Sequence, residues 1–90
     1  MKLTQAYDLF ILDCQIRRLK PRSTSLYKKH LRYFFSYCNA NSIEDIEQVT
    51  AIFIKSYSLT LSTKSIAYQR NLLSSVGLFI SCGHRLTNSI

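Results

Sequence analysis

The stretch Lys20 to Cys38, KPRSTSLYKKHLRYFFSYC, constrains the fold of this chain more than any other. Tyr27, Leu31, Phe34, Phe35 and Cys38 fall at i, i+4, i+7, i+8 and i+11. That spacing is one apolar face of an α-helix, and such a face has to meet a core. Lys28, Lys29, Arg32 and Ser36 fall on the opposite side. Pro21 followed by Arg22, Ser23 and Thr24 marks the start of the helix, with a hydroxyl cap expected after the proline. A single helix is therefore expected to hold a core on one side and to present positive charge on the other.

Ninety residues make one small domain, and 47% of them are apolar, six Tyr and five Phe among them. That suffices for a core, although a domain of this size has a modest stability margin. Two glycines and one proline leave little punctuation. A few long helices are expected rather than many short strands.

Taken in order, the first helix is expected from Thr4, as N-cap, to about Arg18. Asp8 lies near the positive end of its dipole and Arg17, Arg18 and Lys20 near the negative end. Leu9 to Leu12 are consecutive apolar residues, so two stripes result. One is Ala6, Leu9, Phe10 and Ile16, and the other is Tyr7, Ile11 and Cys14. The second stripe serves either deep packing or a neighbouring subunit or domain. Lys20-Pro21 breaks the chain, because the residue before proline disfavours α geometry. The second helix runs to about Asn39, and a turn follows over residues 39–42.

Ile43 to Val49 is an acidic connector carrying one helical turn or an anchored loop. Thr50 caps a short third helix, with Val49 positioned to staple onto Ile54. Phe53, Ile54, Tyr57 and Leu61 form its buried stripe. Ser62 or Thr63 caps the fourth helix, expected from about Lys64 to Cys82. Its stripe is Ile66, Leu72, Leu73, Val76, Phe79 and Ile80, and Gly83 is its C′ residue. Residues 84–90 read as an exit strand or linker. The sum is an all-α, four-helix bundle with short connections.

The net charge of +7 is unevenly spread. Seven Lys or Arg and no acid occupy the span from Arg17 to Arg32, and no acid follows Gln48. A basic surface of this kind attracts polyanions, nucleic acid foremost. Cys14, Cys38 and Cys82 are an odd number, widely spaced and each in an apolar stretch, so they read as reduced, buried thiols of a cytoplasmic protein. No C-x-x-C pair is present, and His30 and His84 are far in sequence from a cysteine, so no metal site is expected. No signal peptide is evident, and no apolar run approaches the ~20 residues of a membrane span.

Phosphate-loop, G-x-S-x-G and H-E-x-x-H patterns are absent. Asp8 and Asp13 lie five apart, about 500° round a helix at about 100° per residue, and do not share a face. Glu44 and Glu47 lie in the connector with no histidine near. Tyr27 and Tyr57 read as core residues with the hydroxyl at the rim. The chain by itself is expected to be non-catalytic and to use no cofactor.

Four stretches together resemble the N-terminal core-binding (SAM-like) domain of tyrosine recombinases, the phage integrase family. TQAYDLFILDCQIR (Thr4–Arg17) is similar to the opening family helix with its A-x-x-x-F-L arrangement. LKPRSTSLYKKHLRYFF (Leu19–Phe35) is similar to the L-S-x-x-T-x-x-x-Y-x-x-x-L-x-x-F signature, through Thr24, Tyr27 or Lys28, Leu31, and Phe34 or Phe35. IEQVTAIFIKSY (Ile46–Tyr57) is similar to the third helix, I-T-x-x-x-I-x-x-Y. Leu61 to Asn88 is similar to the fourth helix and exit. Ser65 stands where threonine is usual, and Asn88-Ser89 stands where Asn-Pro closes the pattern.

The resemblance implies a core-binding helical domain over residues 1–83 and an exit linker over 84–90. In that family the linker leads to a C-terminal catalytic domain, which carries the Arg, His and Tyr nucleophile. The two domains clamp duplex DNA, and the chain is expected to be a fragment of such a protein, in the cytoplasm of a bacterial, phage or mobile-element host cell. Neighbouring protomers in a synaptic complex would meet through the first helix.

Phosphate contacts use long cations and the hydroxyls or amides of helix starts. Arg22, Lys28, Lys29 and Arg32 are assigned that role, with Ser23 and Thr24 at the helix start. Lys64, Ser65, Tyr68 and Arg70 are added from the fourth helix. Lys28, Arg32 or Asn71 suits a base edge in the major groove. The competing expectation is a helical protein–protein interaction module, docking through the first helix, whose basic face is only solubilising.

Overall fold

In the computed structural model, which describes the backbone over residues 1–88 and side chains over residues 1–83, four helices surround one apolar core. They are α1 (Leu3–Ile16), α2 (Pro21–Ala40), α3 (Ala51–Thr60) and α4 (Ile66–Asn88), with a 3₁₀ turn at Ile46–Gln48. The bundle is all-α among the described residues; the single extended feature is an isolated antiparallel bridge between Lys2 and Asp45. Its shortest principal extent is 17 Å, about the depth of two packed helices.

Helices α1 and α2 both pack principally against α4. Phe79 of α4 is the junction. Its ring meets Phe10 of α1 at 5.9 Å and Phe35 of α2 at 5.3 Å, both edge-to-face. Phe34, on the next position of α2, turns towards α3 and meets Tyr57 at 5.2 Å and Phe53 at 6.1 Å. Leu31, Phe34, Cys38, Ile46, Leu72, Val76 and Phe79 are fully buried. The α2 stripe expected from spacing is therefore the seam of the core, with Tyr27 and Phe35 half-buried at its edge.

The connector explains where α1 begins. Leu3 N–H donates to the Glu44 carbonyl (2.8 Å) and Ile46 N–H to the Met1 carbonyl (2.9 Å). The Met1 ammonium pairs with Glu47 at 2.7 Å, and Lys2 lies 3.7 Å from Glu44. The acidic residues thus tether the segment before α1. Lys2, held extended by this bridge, is the N-cap, and the Gln5 side chain accepts from its N–H at 3.3 Å. Thr4, the cap expected from sequence, lies inside the helix.

The apolar stripes of α1 also differ from the expectation. Leu3, Ala6, Phe10 and Cys14 are buried, Tyr7 and Ile11 are half-buried against the core, and Leu9 and Ile16 face solvent. Phe10 and Cys14 lie four apart and fix the inward direction. Leu9 and Ile16 fall roughly 100° or more away from it.

Helices α1 and α2 end in the same way. After α1, Leu19 N–H reaches the Cys14 carbonyl (3.2 Å) and Arg18 N–H the Gln15 carbonyl (3.1 Å). After α2, Ile43 N–H reaches the Cys38 carbonyl (2.9 Å) and Ser42 N–H the Asn39 carbonyl (3.2 Å). This paired pattern is the Schellman motif, whose C′ residue must be left-handed. Arg18 (φ 55°) and Ser42 (φ 58°) fill that position without glycine, at a cost of about 1 kcal/mol each.

Three helix starts and one helix end correct the sequence expectations or complete them. Lys20, not a hydroxyl residue, is the N-cap of α2, and Pro21 is its first helical residue. Thr50 caps α3 as expected, its hydroxyl accepting from Phe53 N–H at 3.1 Å. Ser65, rather than Ser62 or Thr63, caps α4, accepting from Tyr68 N–H at 3.2 Å. Helix α4 then starts at Ile66, whose side chain is exposed although the spacing placed it in the buried stripe.

Gly83 does not end α4. The helix continues through it to Asn88, so residues 84–88 are helical rather than an extended exit; residues 89–90 lie outside the described residues. Gly83 is buried against the connector, and a Cβ on it would collide with the Ile46 δ-methyl and sit 3.2 Å from Cγ1. The glycine is there for close approach. Among the described residues no helix is long and apolar enough to cross a membrane.

Candidate nucleic-acid interface

The solvent side of α2 is a row of cations. Arg22, Lys28, Lys29 and Arg32 are all exposed. At about 100° per residue, Arg22, Lys29 and Arg32 lie within an arc of about 80° opposite the buried stripe. Lys28 is rotated further towards α1. There, Lys28 and Arg32 line a groove of about 340 Å³ with Thr4, Tyr7, Asp8 and Phe35. The floor of that groove is an edge-to-face contact between Tyr7 and Phe35 at 5.5 Å. An adjoining hollow is lined by Ile11, Leu12 and Gln15 beyond Tyr7, Asp8 and Lys28. The cationic face thus has two parts, an outer row and one wall of a groove, with Arg32 in both.

The start of α2 offers less than expected to a phosphate. Pro21 has no N–H, and the N–H groups of Ser23 (2.9 Å) and Thr24 (3.2 Å) both donate to the Lys20 carbonyl. Both side chains are half-buried. At this helix start Ser23 and Thr24 offer their hydroxyl groups rather than their amides.

From α4 the structure brings Tyr68 to α2. Its ring lies 6.4 Å from that of His30, edge-on. His30 is buried, and its Nδ1 lies 2.8 Å from Ser75 Oγ. Ser75 in turn donates to the Asn71 carbonyl at 3.2 Å. With the serine proton used there, the consistent tautomer has His30 Nδ1–H donating to Ser75 Oγ. Burial, and secondly the Lys29 charge, push the His30 pKa below its ordinary 6.5. This neutral pair fixes the buried face of α2 against the middle of α4.

Lys64 and Ser65 are exposed at the head of α4, and Ser65 Oγ is engaged in the cap. Arg70 is exposed but lies two residues, about 200°, round from Tyr68, on the side of α4 away from α2. Asn71, about 60° round from Tyr68, shares its side of α4 and is exposed. The fold therefore keeps Tyr68 and Asn71 on one side of α4 and sets Arg70 apart.

Sequence reasoning passed over His30 and Ser75. Their positions carried the signal: His30 falls between Tyr27 and Phe34 on the buried stripe of α2, and Ser75 between Leu72 and Phe79 on that of α4. A polar residue on an inward face has to find a partner. Tyr57, read as a core residue, is buried, and burial pushes its phenol up to about 12. All three cysteines are buried, and burial holds the Cys38 thiol up at about 12. Among the described residues no group of three or more His, Cys, Asp and Glu could hold a metal ion.

No protein-family model, curated protein or solved structure matches the chain.

Proposed function

We propose that this chain is a DNA-binding module of the kind its sequence resembles, the SAM-like core-binding domain of a tyrosine recombinase. It binds double-stranded DNA through the outer face of α2 and the head of α4. The observation that carries this reading is the exposed row Arg22, Lys29 and Arg32, in a span without a single acid from Arg17 to Arg32. Lys28, with Ser23 and Thr24, extends the row at the groove side and at the helix start. Lys64, Ser65 and Tyr68 add to it from α4, with Arg70 as an outlying contact.

In this reading the domain supplies affinity and part of the site recognition. It needs neither cofactor nor metal, works in the cytoplasm, and leaves strand cleavage to a C-terminal catalytic domain with which it clamps the duplex. Its context is DNA integration or recombination by a mobile element.

Each cation that neutralises a phosphate releases a counterion, so affinity for DNA is expected to fall with salt. With about six contacts the loss is roughly three decades between 50 and 200 mM salt. Fluorescence anisotropy of a labelled duplex across a salt series measures this, and unlabelled random DNA separates base readout from backbone affinity. Measurable binding with a flat salt dependence contradicts the reading.

A second reading, a protein-interaction module, is favoured by two exposed apolar strips. Leu9, Leu12 and Ile16 form one on α1; Ile52 and Leu59 form the other on α3. The α1 strip is also where neighbouring protomers would meet in the recombinase reading. A concentration-dependent dimer indifferent to DNA would favour the interaction module.

A further inference from the structure

Cys14 on α1 and Cys82 on α4 occupy matching places. Each lies one helical turn beyond the ring that makes the Phe10–Phe79 contact. Both thiols therefore face the seam between α1 and α4. Both line a single cavity of about 190 Å³ between α1 and α4. Its walls include Phe10, Tyr27, Leu19 and Leu78. The Arg17–Asp13 ion pair, 3.1 Å long, stands at its rim. Burial, and secondly the Asp13 charge, push the Cys14 thiol up from its ordinary value, so the attacking thiolate is a small fraction and the oxidation is slow. They retain 2% and 6% of their surface, whereas Cys38 retains none and lies on α2 away from this cavity.

We infer that Cys14 and Cys82 form an oxidisable dithiol site, which a small hydroperoxide converts to a disulfide pinning α1 to α4. The cavity admits an oxidant of the size of hydrogen peroxide, and Leu19 and Leu78 at its edge are partly exposed, which gives access. One thiolate attacks the peroxide oxygen, breaking the O–O bond to give a sulfenic acid and hydroxide. The second thiol then displaces water from that sulfenic acid, forming the S–S bond. The two thiols lose two electrons and two protons, and the peroxide leaves as two waters. Cys38, without access to the cavity, stays a thiol. This inference is independent of any DNA contact.

The test uses the whole chain, hydrogen peroxide, a denaturing alkylation and non-reducing peptide mapping after trypsin. Cleavage at Lys2, Arg17, Arg70 and Arg85 places Cys14 in peptide 3–17 and Cys82 in peptide 71–85. The expected result is a linked pair of these two peptides that reduction separates, while peptide 33–55 carries alkylated Cys38. The oxidised chain should also unfold at higher urea than the reduced one, because the link closes a long loop in the unfolded chain. Cys14→Ala should abolish the linked pair. Three results overturn the inference: both thiols recovered unlinked or as sulfinic acids, a link that runs to Cys38, or a linked chain with no gain in urea midpoint.

Discussion

Helices α1 and α2 are built alike inside and unlike outside. Each begins at a lysine N-cap, each ends in a Schellman turn with a non-glycine residue at the left-handed position, and each lays an aromatic ring on Phe79. Their solvent faces then diverge. Helix α1 exposes Leu12 at 50% and Ile16 at 71%, with Leu9 beside them; α2 exposes Arg22, Lys29 and Arg32. The inner faces answer to packing, and packing is satisfied equally well by both. The outer faces are free of that demand, so the difference between them reflects what each is for. A cation row favours a polyanion, and an apolar strip favours a protein surface.

The largest expected effect comes from removing what the two helices share. Phe79→Ala takes away the ring beneath both Phe10 and Phe35 and should cost about 3–5 kcal/mol, read as a fall in urea midpoint. Both outer faces should be lost together. A variant that kept one helix docked would show that α1 and α2 do not depend on a common floor.

Gly83→Ala comes next. Its methyl group meets Ile46, which is fully buried and cannot swing aside, so a loss of about 1–3 kcal/mol is expected in the same measurement. An unchanged midpoint would return Gly83 to the role of a simple helix terminator. Smaller still, and opposite in sign, Ser42→Gly should stabilise by about 1 kcal/mol, since it relieves a left-handed residue at the end of α2.

The seam between α2 and α4 has a pH signature. His30 is held neutral in the fold, with its pKa below the ordinary 6.5. The unfolded chain therefore takes up the proton first. Stability should be full above pH 6.5 and decline as pH falls from there towards the lowered native value. Below that value no further loss comes from this group. Urea titrations at a series of pH values check this; His30→Leu should flatten the decline, and a wild-type midpoint constant from pH 7.5 to 5 would contradict it.

How much of this could be read before the fold was seen follows from which residues announce themselves by period. The α2 stripe, the Thr50 cap, the buried cysteines and the four-helix count were readable because each rests on local spacing or local capping. The start of α1 was not, because Lys2 is held extended by Glu44 and Asp45, more than forty residues away. Gly83 was misread because a helix-ending glycine and a close-approach glycine look the same until Ile46 is seen against it. Lys28 and Lys29 were read as one face, yet they stand about 100° apart and Lys28 lines a groove that belongs half to α1. Arg70 was added beside Tyr68 as a fourth-helix cation, and helical rotation sets the two on opposite sides of α4.

The smallest effects on stability should come from the outer faces themselves. Leu12→Ser/Ile16→Ser on α1 and Arg22→Ala/Lys29→Ala/Arg32→Ala on α2 should each change the urea midpoint little, by about 0.5 kcal/mol or less per residue. Their consequences should appear in binding. The α1 pair should weaken any self-association and leave DNA affinity as it was.

The most direct test of the DNA-binding account is the salt slope of duplex binding, measured by anisotropy for the wild-type chain and the α2 triple variant, with the α1 double variant as control. The account predicts that the triple variant loses about three units of slope, close to one per phosphate contact, while the control keeps the wild-type slope. A triple variant that binds with the wild-type slope would contradict it.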